Sequence, residues 1–590
     1  MLEKDEKEIR LYGISGSPGI CIGKAYLVGR EGVDVVEKYL ISPDNVKKEI
    51  KRFKTAVKKA KDELQALIED TPEELHQRAQ ILEIHKVLLM DKMLYDRTIK
   101  YIEDEKVNAE WSLKKATENV KTMFNNMADP YLKGRVDDII HVSDIIMRNL
   151  VGGDLVRVGD IDKRVILVAH DLSPAETSQI QLEKIKGFVT DRGGKTSHTG
   201  IIARTLEIPA VLGLDNASRT IKNDNIIIVD GTEGVVIINP TDQTLIRFEE
   251  RMGRYEEYKA ILIRGSDLPA ETIDCFRVQV MGNIELPEEV VSVRSHGGDG
   301  IGLYRTEFQY LGRLVFPAEH ELFDKYKDVV EVMAPKPVTI RTLDINGDKA
   351  IANSSAPDEK NPVLGLRGIR YCLKNPEVFK TQLRAILRAG AFGNVRVLFP
   401  MISCQDEIQY ARRMLNEAAE SLARDGVLFN GDIDVGIMIE VPSAVFMADT
   451  LAKDVDFFSI GTNDLIQFSL AVDRGNRHVA HLYQPLHPAI IRVIKHITEV
   501  ARDQGVKVSM CGEMAGDPVN IPLLLGFGIE ELSMNPQAIP VIKSLIRLLD
   551  AEEARQFVKE ALKETTDAGV TELVMNTFGN TLFDVGYTEL

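Results

Sequence analysis

The C-terminal half of the chain alternates short apolar runs with polar stretches long enough to fold as helices. Eight such runs recur, at residues 278–281, 300–304, 338–340, 395–399, 435–439, 457–460, 506–510 and 531–534. Short, largely continuous apolar runs suit strands buried on both faces. Strands alternating with helices over this span predict a (β/α)8 barrel of the TIM type over residues 263–590. An open doubly wound sheet gives a similar pattern, and the count of eight decides for the barrel. The N-terminal half reads differently. Residues 13–28 predict a turn at Gly16-Ser17-Pro18-Gly19 and a strand from Ile22 to Val28, and β-rich runs return at 165–168 and 226–229. Between them, residues 42–150 carry almost no glycine and read as amphipathic helices. Leu75, Ala79, Leu82, Leu89 and Met93 mark one apolar face, and His85, within the same helix, reads as a packed or surface side chain rather than a catalytic one. Thr71-Pro72-Glu73-Glu74 supplies a capping hydroxyl, a proline at the first helical position and a reciprocal glutamate.

This pattern predicts an α/β domain over residues 1–30 and 150–240, with a helical bundle over 31–149 inserted into it. Residues 241–262, charged and free of proline, read as a helical linker, or simply as a solvated helix face.

Composition narrows the class. A chain of 590 residues is too long for one ordinary core, and 44% hydrophobic with 28% charged residues describes a globular, soluble protein. A net charge of −17 and a pI near 5.3 argue against a nucleic-acid surface while permitting a basic protein partner. No apolar run reaches the roughly 18 residues that span a membrane. The start of the chain, Met1-Leu2-Glu3-Lys4-Asp5-Glu6, is too polar for a signal peptide. Cys21, Cys275, Cys372, Cys404 and Cys511 lack metal-site spacing, and a reducing cytoplasm is the simplest setting.

Chemistry enters at Gly193-Gly194-Lys195-Thr196-Ser197-His198-Thr199-Gly200, which follows the short strand 187–190 and precedes a helix predicted from Gly200 to Leu206. Strand, glycine turn and helix N-terminus together form an anion site, because free backbone N–H groups and the helix dipole both favour negative charge there. His198 could present an imidazole nitrogen to a phosphoryl group at that point. On local features alone, a capping hydroxyl beside a surface histidine explains the segment about as well.

In a barrel of this type the site is built at the C-terminal ends of the strands. Those positions carry Asn283, Arg305, Arg341, Glu440, Asn463 with Asp464, Cys511 and Asn535. Any one of them could be a structural salt bridge or cap. As a set they predict an anionic substrate with a divalent metal. Glu440 and Asp464 offer hard oxygen ligands suited to Mg2+. Arg305, Arg341 and Arg474, with Arg367 as a fourth, supply planar forks for phosphate and carboxylate. Asn463 can donate to a phosphate oxygen. Cys511, with an ordinary thiol pKa near 8.5, is mostly protonated at neutral pH and can act as an acid; taken alone it reads as a small buried hydrophobe.

The segment from Gly193 to Arg204, followed by Ile208-Pro209-Ala210-Val211, closely resembles the phosphohistidine segment of phosphoenolpyruvate-utilising enzymes. Lys195 stands where many members have arginine. The stretches Gly302-Leu303-Tyr304-Arg305-Thr306-Glu307-Phe308, Arg341-Thr342-Leu343-Asp344, Gly436 to Pro442, Gly461 to Leu465 and Cys511 to Ala515 resemble the phosphoenolpyruvate-binding barrel of the Enzyme I family of the bacterial sugar phosphotransferase system. The resemblance implies Mg2+-dependent transfer of phosphate from phosphoenolpyruvate to His198, then to a histidine of the carrier protein HPr, in a homodimer joined through the barrel. It implies that Glu440 and Asp464 bind the metal and that Arg305, Arg341, Asn463 and Arg474 bind substrate. Cys511 would protonate the enolate to give pyruvate, and Thr177 would orient the histidine. His198 and the barrel fall in different domains, so transfer implies a swivel. Glu69, Asp70, Glu73 and Glu74 could steer a basic partner, or be ordinary surface charge. The related pyruvate–phosphate dikinases need an ATP-binding domain, and fewer than 200 residues precede His198, without a glycine-rich nucleotide loop. A regulatory protein that binds phosphoenolpyruvate without turnover remains the alternative.

Overall fold

A computed structural model describes residues 8–28, 38–69, 86, 88–89, 93–125, 139, 142–143, 145–147, 149–150, 164–170, 184–194, 198–205, 207–310, 315–345, 361–474, 476 and 478–585. They form two compact units, Met1–Glu256 and Glu257–Leu590, with the helix Asp242–Arg264 carrying the chain from one to the other.

The first unit is built on an eight-stranded sheet. Its strands are β1 (Ile9–Tyr12), β2 (Ile14–Ser17), β3 (Ile20–Val28), β4 (Val165–Ala169), β5 (Ile185–Thr190), β6 (Ala210–Leu212), β7 (Ile226–Asp230) and β8 (Val235–Ile238). They lie in the order β1-β8-β7-β3-β4-β5-β6-β2. The long strand β3 holds the sheet together, pairing antiparallel with β7 and parallel with β4. Strands β3 and β4 are neighbours although the chain between them leaves the sheet and forms the helices Val46–Glu69, Tyr95–Glu105 and Ala109–Asn125. The bundle buries its own core of Phe53, Ala60, Ile102, Leu113 and Ile146. Arg52 forks from the first of these helices onto Glu110 of the third, at 2.6 and 2.7 Å.

The second unit is a closed barrel. Its strands are β10 (Arg277–Ile284), β11 (Ile301–Tyr304), β12 (Val338–Arg341), β13 (Val395–Phe399), β14 (Asp434–Ile439), β15 (Phe457–Ile460), β16 (Lys507–Met510) and β17 (Glu531–Met534), with β9 (Ala270–Glu271) set antiparallel on β10. Each of the eight pairs parallel with the next, and β10 closes the ring by pairing with both β17 and β11. These strands are buried almost throughout, which is why their sequences read as apolar runs rather than alternating ones. Among the described residues no helix is long and apolar enough to cross a membrane.

Four elements differ from the expectation. The edge strand β1 lies where no element was expected, and β2 ends inside the expected turn at Gly16-Ser17, because edge strands with exposed positions carry little hydrophobic signal. The helix expected from Gly200 starts at His198, so its glycine sits inside the first turn. The connecting helix runs to Arg264, two residues beyond the predicted end.

Candidate active site

The mouth of the barrel collects charge from five strand ends. Arg305 follows β11 and pairs with Glu285, which follows β10, at 2.5 Å. Arg341 ends β12; its guanidinium meets Glu307 at 2.9 Å and Asp344 at 3.2 Å. Arg367, on the loop that returns from β12, forks onto both oxygens of Asp344 at 3.0 and 2.9 Å and reaches Asp464 at 3.0 Å. Glu440 follows β14 and is 1% exposed; its Oε1 accepts from the Met401 N–H at 2.6 Å. Asp464 sits in the first turn of the helix Thr462–Leu470 after β15.

Asp344, Glu440 and Asp464 each offer a carboxylate oxygen, and these three atoms lie within 4.8 Å of one another. Burial pushes the Glu440 carboxyl well above the usual carboxylate range, and the charges of Asp464 and Asp344 add to that rise. Burial acts on Asp344 in the same sense, but Arg341 and Arg367 outweigh it and hold that carboxyl below its ordinary value. Three neighbouring hard oxygens, one of them destabilised by the other two, fit a divalent cation such as Mg2+, which would relieve the repulsion. Three buried polar atoms at the mouth, Arg341 Nε, Thr342 Oγ1 and Thr462 Oγ1, have no hydrogen-bond partner among the described residues. Orphaned buried donors beside a cluster of arginines are what a site built for an anion leaves when no anion is bound.

Two glycines let the loops close this tightly. A Cβ on Gly512 would lie 1.7 Å from Thr462 Oγ1 and 2.7 Å from the Thr462 nitrogen. Gly368 has φ +57, and a Cβ there would press on the Met401 side chain at 2.8 Å and on Asp344 at 3.1 Å.

Cys511 follows β16 and is buried. Its N–H donates to the Ile460 carbonyl at 3.1 Å, and its carbonyl accepts from Asn283 Nδ2 at 3.0 Å. Burial pushes the thiol up to about 11, with the Ser459 hydrogen bond opposing the rise and Glu440 adding to it. The thiol therefore holds its proton more firmly than an ordinary cysteine. Asn463 accepts from the Glu513 N–H at 2.9 Å and ties the loops after β15 and β16 together. Arg474 lies exposed in the turn after the helix Thr462–Leu470, beside Tyr483. Asn535, expected in the ring, caps the short turn Pro536–Ala538 instead.

Asp344 was not expected in the acidic cluster, nor Glu285 and Glu307 as partners of the arginines. Asp344 and Glu307 carried a signal, since each stands two or three residues beyond an arginine at a strand end.

In the first unit, β5 leads through Gly193, at φ +102, to the helix His198–Thr205. Only the backbone of His198 is described, and Lys195 to Ser197 and Thr177 lie outside the described residues, as do Thr71 to Glu74 and His85. The turn after β5 is fixed by Asp191, which accepts from the Ser218 N–H at 2.8 Å and meets His170 Nδ1 at 2.9 Å.

The chain is similar to known proteins along most of its length. Residues 260–551 match the family described as PEP-utilising enzyme, PEP-binding domain; residues 161–234 match PEP-utilising enzyme, mobile domain; residues 12–135 match PEP-utilising enzyme, N-terminal. The phosphoenolpyruvate-protein phosphotransferase of Bacillus sp. (strain S) is 43% identical over 573 residues, covering 97% of this chain and 99% of its own. That of Bacillus subtilis (strain 168) is 43% identical over 569 residues, covering 96% and 99%. A solution structure of Enzyme I (nEIt) is 35% identical over 42% of this chain and 99% of its own, with a TM-score of 0.35.

Proposed function

We infer that this chain, which belongs to the phosphoenolpyruvate-protein phosphotransferase family, moves the phosphoryl group of phosphoenolpyruvate to its own His198 and then to a histidine of the carrier protein HPr, releasing pyruvate. The observation that carries this reading is the barrel mouth, where arginines face a buried three-carboxylate cluster and three polar atoms stand without partners. Arg305, Arg341 and Arg474 bind the phosphate and carboxylate of the substrate, with Asn463 donating to a phosphate oxygen. Arg367 is held by Asp344 and Asp464, so it can meet substrate only at the edge of the metal cluster. Glu440 and Asp464, joined by Asp344, hold Mg2+. When bound, that ion supplies charge neutralisation for the phosphoryl oxygens.

In the first step the unprotonated ring nitrogen of His198 takes the phosphorus, an N–P bond forms, and the P–O bond to the enol oxygen breaks. The electron pair stays on the enolate. Cys511 gives its proton to the terminal carbon, and pyruvate leaves. Thr177 orients the imidazole. In the second step the N–P bond breaks as a carrier histidine takes the phosphoryl group. The helical segment 31–149, acidic at Glu69 to Glu74, is the docking site for HPr, and the barrel joins two copies as a homodimer. The catalytic contribution lies in positioning and charge neutralisation around one nucleophile and one acid.

The test is to mix the protein with Mg2+ and phosphoenolpyruvate labelled on phosphorus, comparing it with His198→Ala. An acid-labile, base-stable label, absent from the variant and passed on to added HPr, is expected. Phosphoenolpyruvate bound without labelling would overturn phosphotransfer in favour of a regulatory binding protein.

A further inference from the structure

Strand β15 reads Phe457-Phe458-Ser459-Ile460, and all four residues are buried. Ser459 is the exception in an apolar run. A hydroxyl inside a barrel is costly unless it is hydrogen-bonded. Its neighbour across the sheet, Ser509, solves this in the usual way by donating to a backbone carbonyl, that of Phe458 at 3.2 Å. Ser459 does not. Its hydroxyl donates to Cys511 Sγ at 3.2 Å. A neutral thiol sulfur is a weak acceptor, so in the resting state this is a poor return for burying a hydroxyl. A thiolate is a strong one, and hydrogen bonds to a charged partner are about twice as strong as neutral ones.

We propose that Ser459 is a positioning residue for the acid step, a buried hydroxyl aimed at Cys511 Sγ so that it stabilises the sulfur as the thiol proton leaves. The inference rests on Cys511 being the acid of the proposed function. As the S–H bond breaks and the C–H bond of pyruvate forms, negative charge appears on sulfur, and the Ser459 O–H is already pointed at it. The interaction strengthens along the reaction, which is the condition for lowering a barrier rather than merely tightening binding. The thiolate then regains a proton from water, and no other reactant is required.

The rest of the pocket keeps that geometry. Cys511 is anchored at both backbone ends, by Ile460 and by Asn283. Asn283 is in turn oriented by Ser533, whose hydroxyl donates to its Oδ1 at 2.5 Å, leaving Nδ2 free to reach the Cys511 carbonyl. Sγ has one further polar neighbour at the edge of hydrogen-bond range, the Ile460 carbonyl at 3.7 Å. With the hydroxyl donating to sulfur from one side and only that distant carbonyl as an acceptor, the thiol proton has no close acceptor among the described residues.

The step can be read without phosphoryl transfer, as the exchange of pyruvate methyl protons with D2O in the presence of Mg2+ and the dephosphorylated full-length protein. The decisive pair is Ser459→Thr and Ser459→Val, which have the same shape and differ only in the hydroxyl. We expect Ser459→Thr to keep exchange near wild type and Ser459→Val to slow it by at least about tenfold, with the KM for pyruvate unchanged. Equal exchange in Ser459→Thr and Ser459→Val, while Cys511→Ala abolishes it, would overturn the role of Ser459 and leave Cys511 as the acid. Undiminished exchange in Cys511→Ala would instead overturn the assignment of Cys511 itself, and the role of Ser459 with it.

Discussion

Gln382 is a buried polar side chain on the helix Pro376–Ala389, and it holds two of the loops that form the site. Its Oε1 accepts from the Leu343 N–H at 2.9 Å, between Arg341 and Asp344. Its Nε2 donates to Thr306 Oγ1 at 3.0 Å and to the Tyr326 hydroxyl at 3.1 Å. Thr306 then donates to the Arg341 carbonyl at 2.9 Å, so one amide group registers the loop of Arg305 and Glu307 against that of Arg341 and Asp344. Replacing it by leucine, of similar size, leaves the Leu343 N–H buried without an acceptor, at about 1–3 kcal/mol, and removes two neutral hydrogen bonds at about 0.5–1.5 kcal/mol each. Part of this is offset by the added apolar burial, so Gln382→Leu should destabilise the protein by about 2–4 kcal/mol, read as a fall in the urea midpoint at constant slope. Activity should fall further than stability predicts, because a shift of about 1 Å in the Arg341–Asp344 loop costs on the order of 100-fold in rate. Gln382→Glu keeps an acceptor for Leu343 and should recover part of both losses. If Gln382→Leu transfers phosphate from phosphoenolpyruvate at the wild-type rate and unfolds within about 0.5 kcal/mol of wild type, the scale of a neutral surface change, the Gln382 amide does not register these loops.

Other consequences follow from the same geometry. Asp344→Asn should weaken Mn2+ binding to the dephosphorylated protein by roughly tenfold or more, measured by electron paramagnetic resonance; unchanged affinity would remove Asp344 from the metal site. Gly512→Ala forces a Cβ against both the hydroxyl and the backbone nitrogen of Thr462, so rotation of the threonine cannot relieve it, and a loss of about 1–3 kcal/mol is expected in denaturant titration. Burial pushes Cys21 up to about 12 and Cys511 up to about 11, whereas unfolded thiols ionise near 8.5. Because the folded values are the raised ones, this stability is complete below about pH 8.5 and is lost as pH rises toward 11–12, at up to about 1.4 kcal/mol per pH unit for each thiol. A urea midpoint that stays flat from pH 8 to pH 10, or a slope that Cys21→Ala leaves unchanged, would contradict this. Iodoacetamide at pH 8 should modify the exposed Cys275 and Cys404 in the native protein, and reach Cys511 only after unfolding.

The barrel was legible because a strand buried on both faces leaves a continuous apolar run, and because eight runs with helix-length spacers match few other architectures. Strands β1 and β2 were not, since an exposed edge strand interrupted by Gly13 and Gly16 has no period to detect. At the site, residues that sit directly at strand ends, such as Arg305, Arg341, Glu440 and Cys511, could be listed from the chain alone. What could not be read was which of them meet. The arginines were expected to face substrate, yet Arg341 and Arg367 are both held by Asp344, three residues beyond one and twenty-three before the other. Gln382 and Ser459 were hidden for a different reason. Each stands in an apolar setting, among Phe379, Leu383 and Ile386 in one case and Phe457, Phe458 and Ile460 in the other, where a polar residue looks like noise. A polar group in such a setting costs about 1–3 kcal/mol unless it is bonded, so its presence implies a partner. For Gln382 the partners come from residues 39, 56 and 76 positions away, and for Ser459 from one 52 positions away. The chain marks that a buried contact exists, and only the closed barrel, by bringing β11, β12, β15 and β16 around one mouth, determines that both contacts belong to the site.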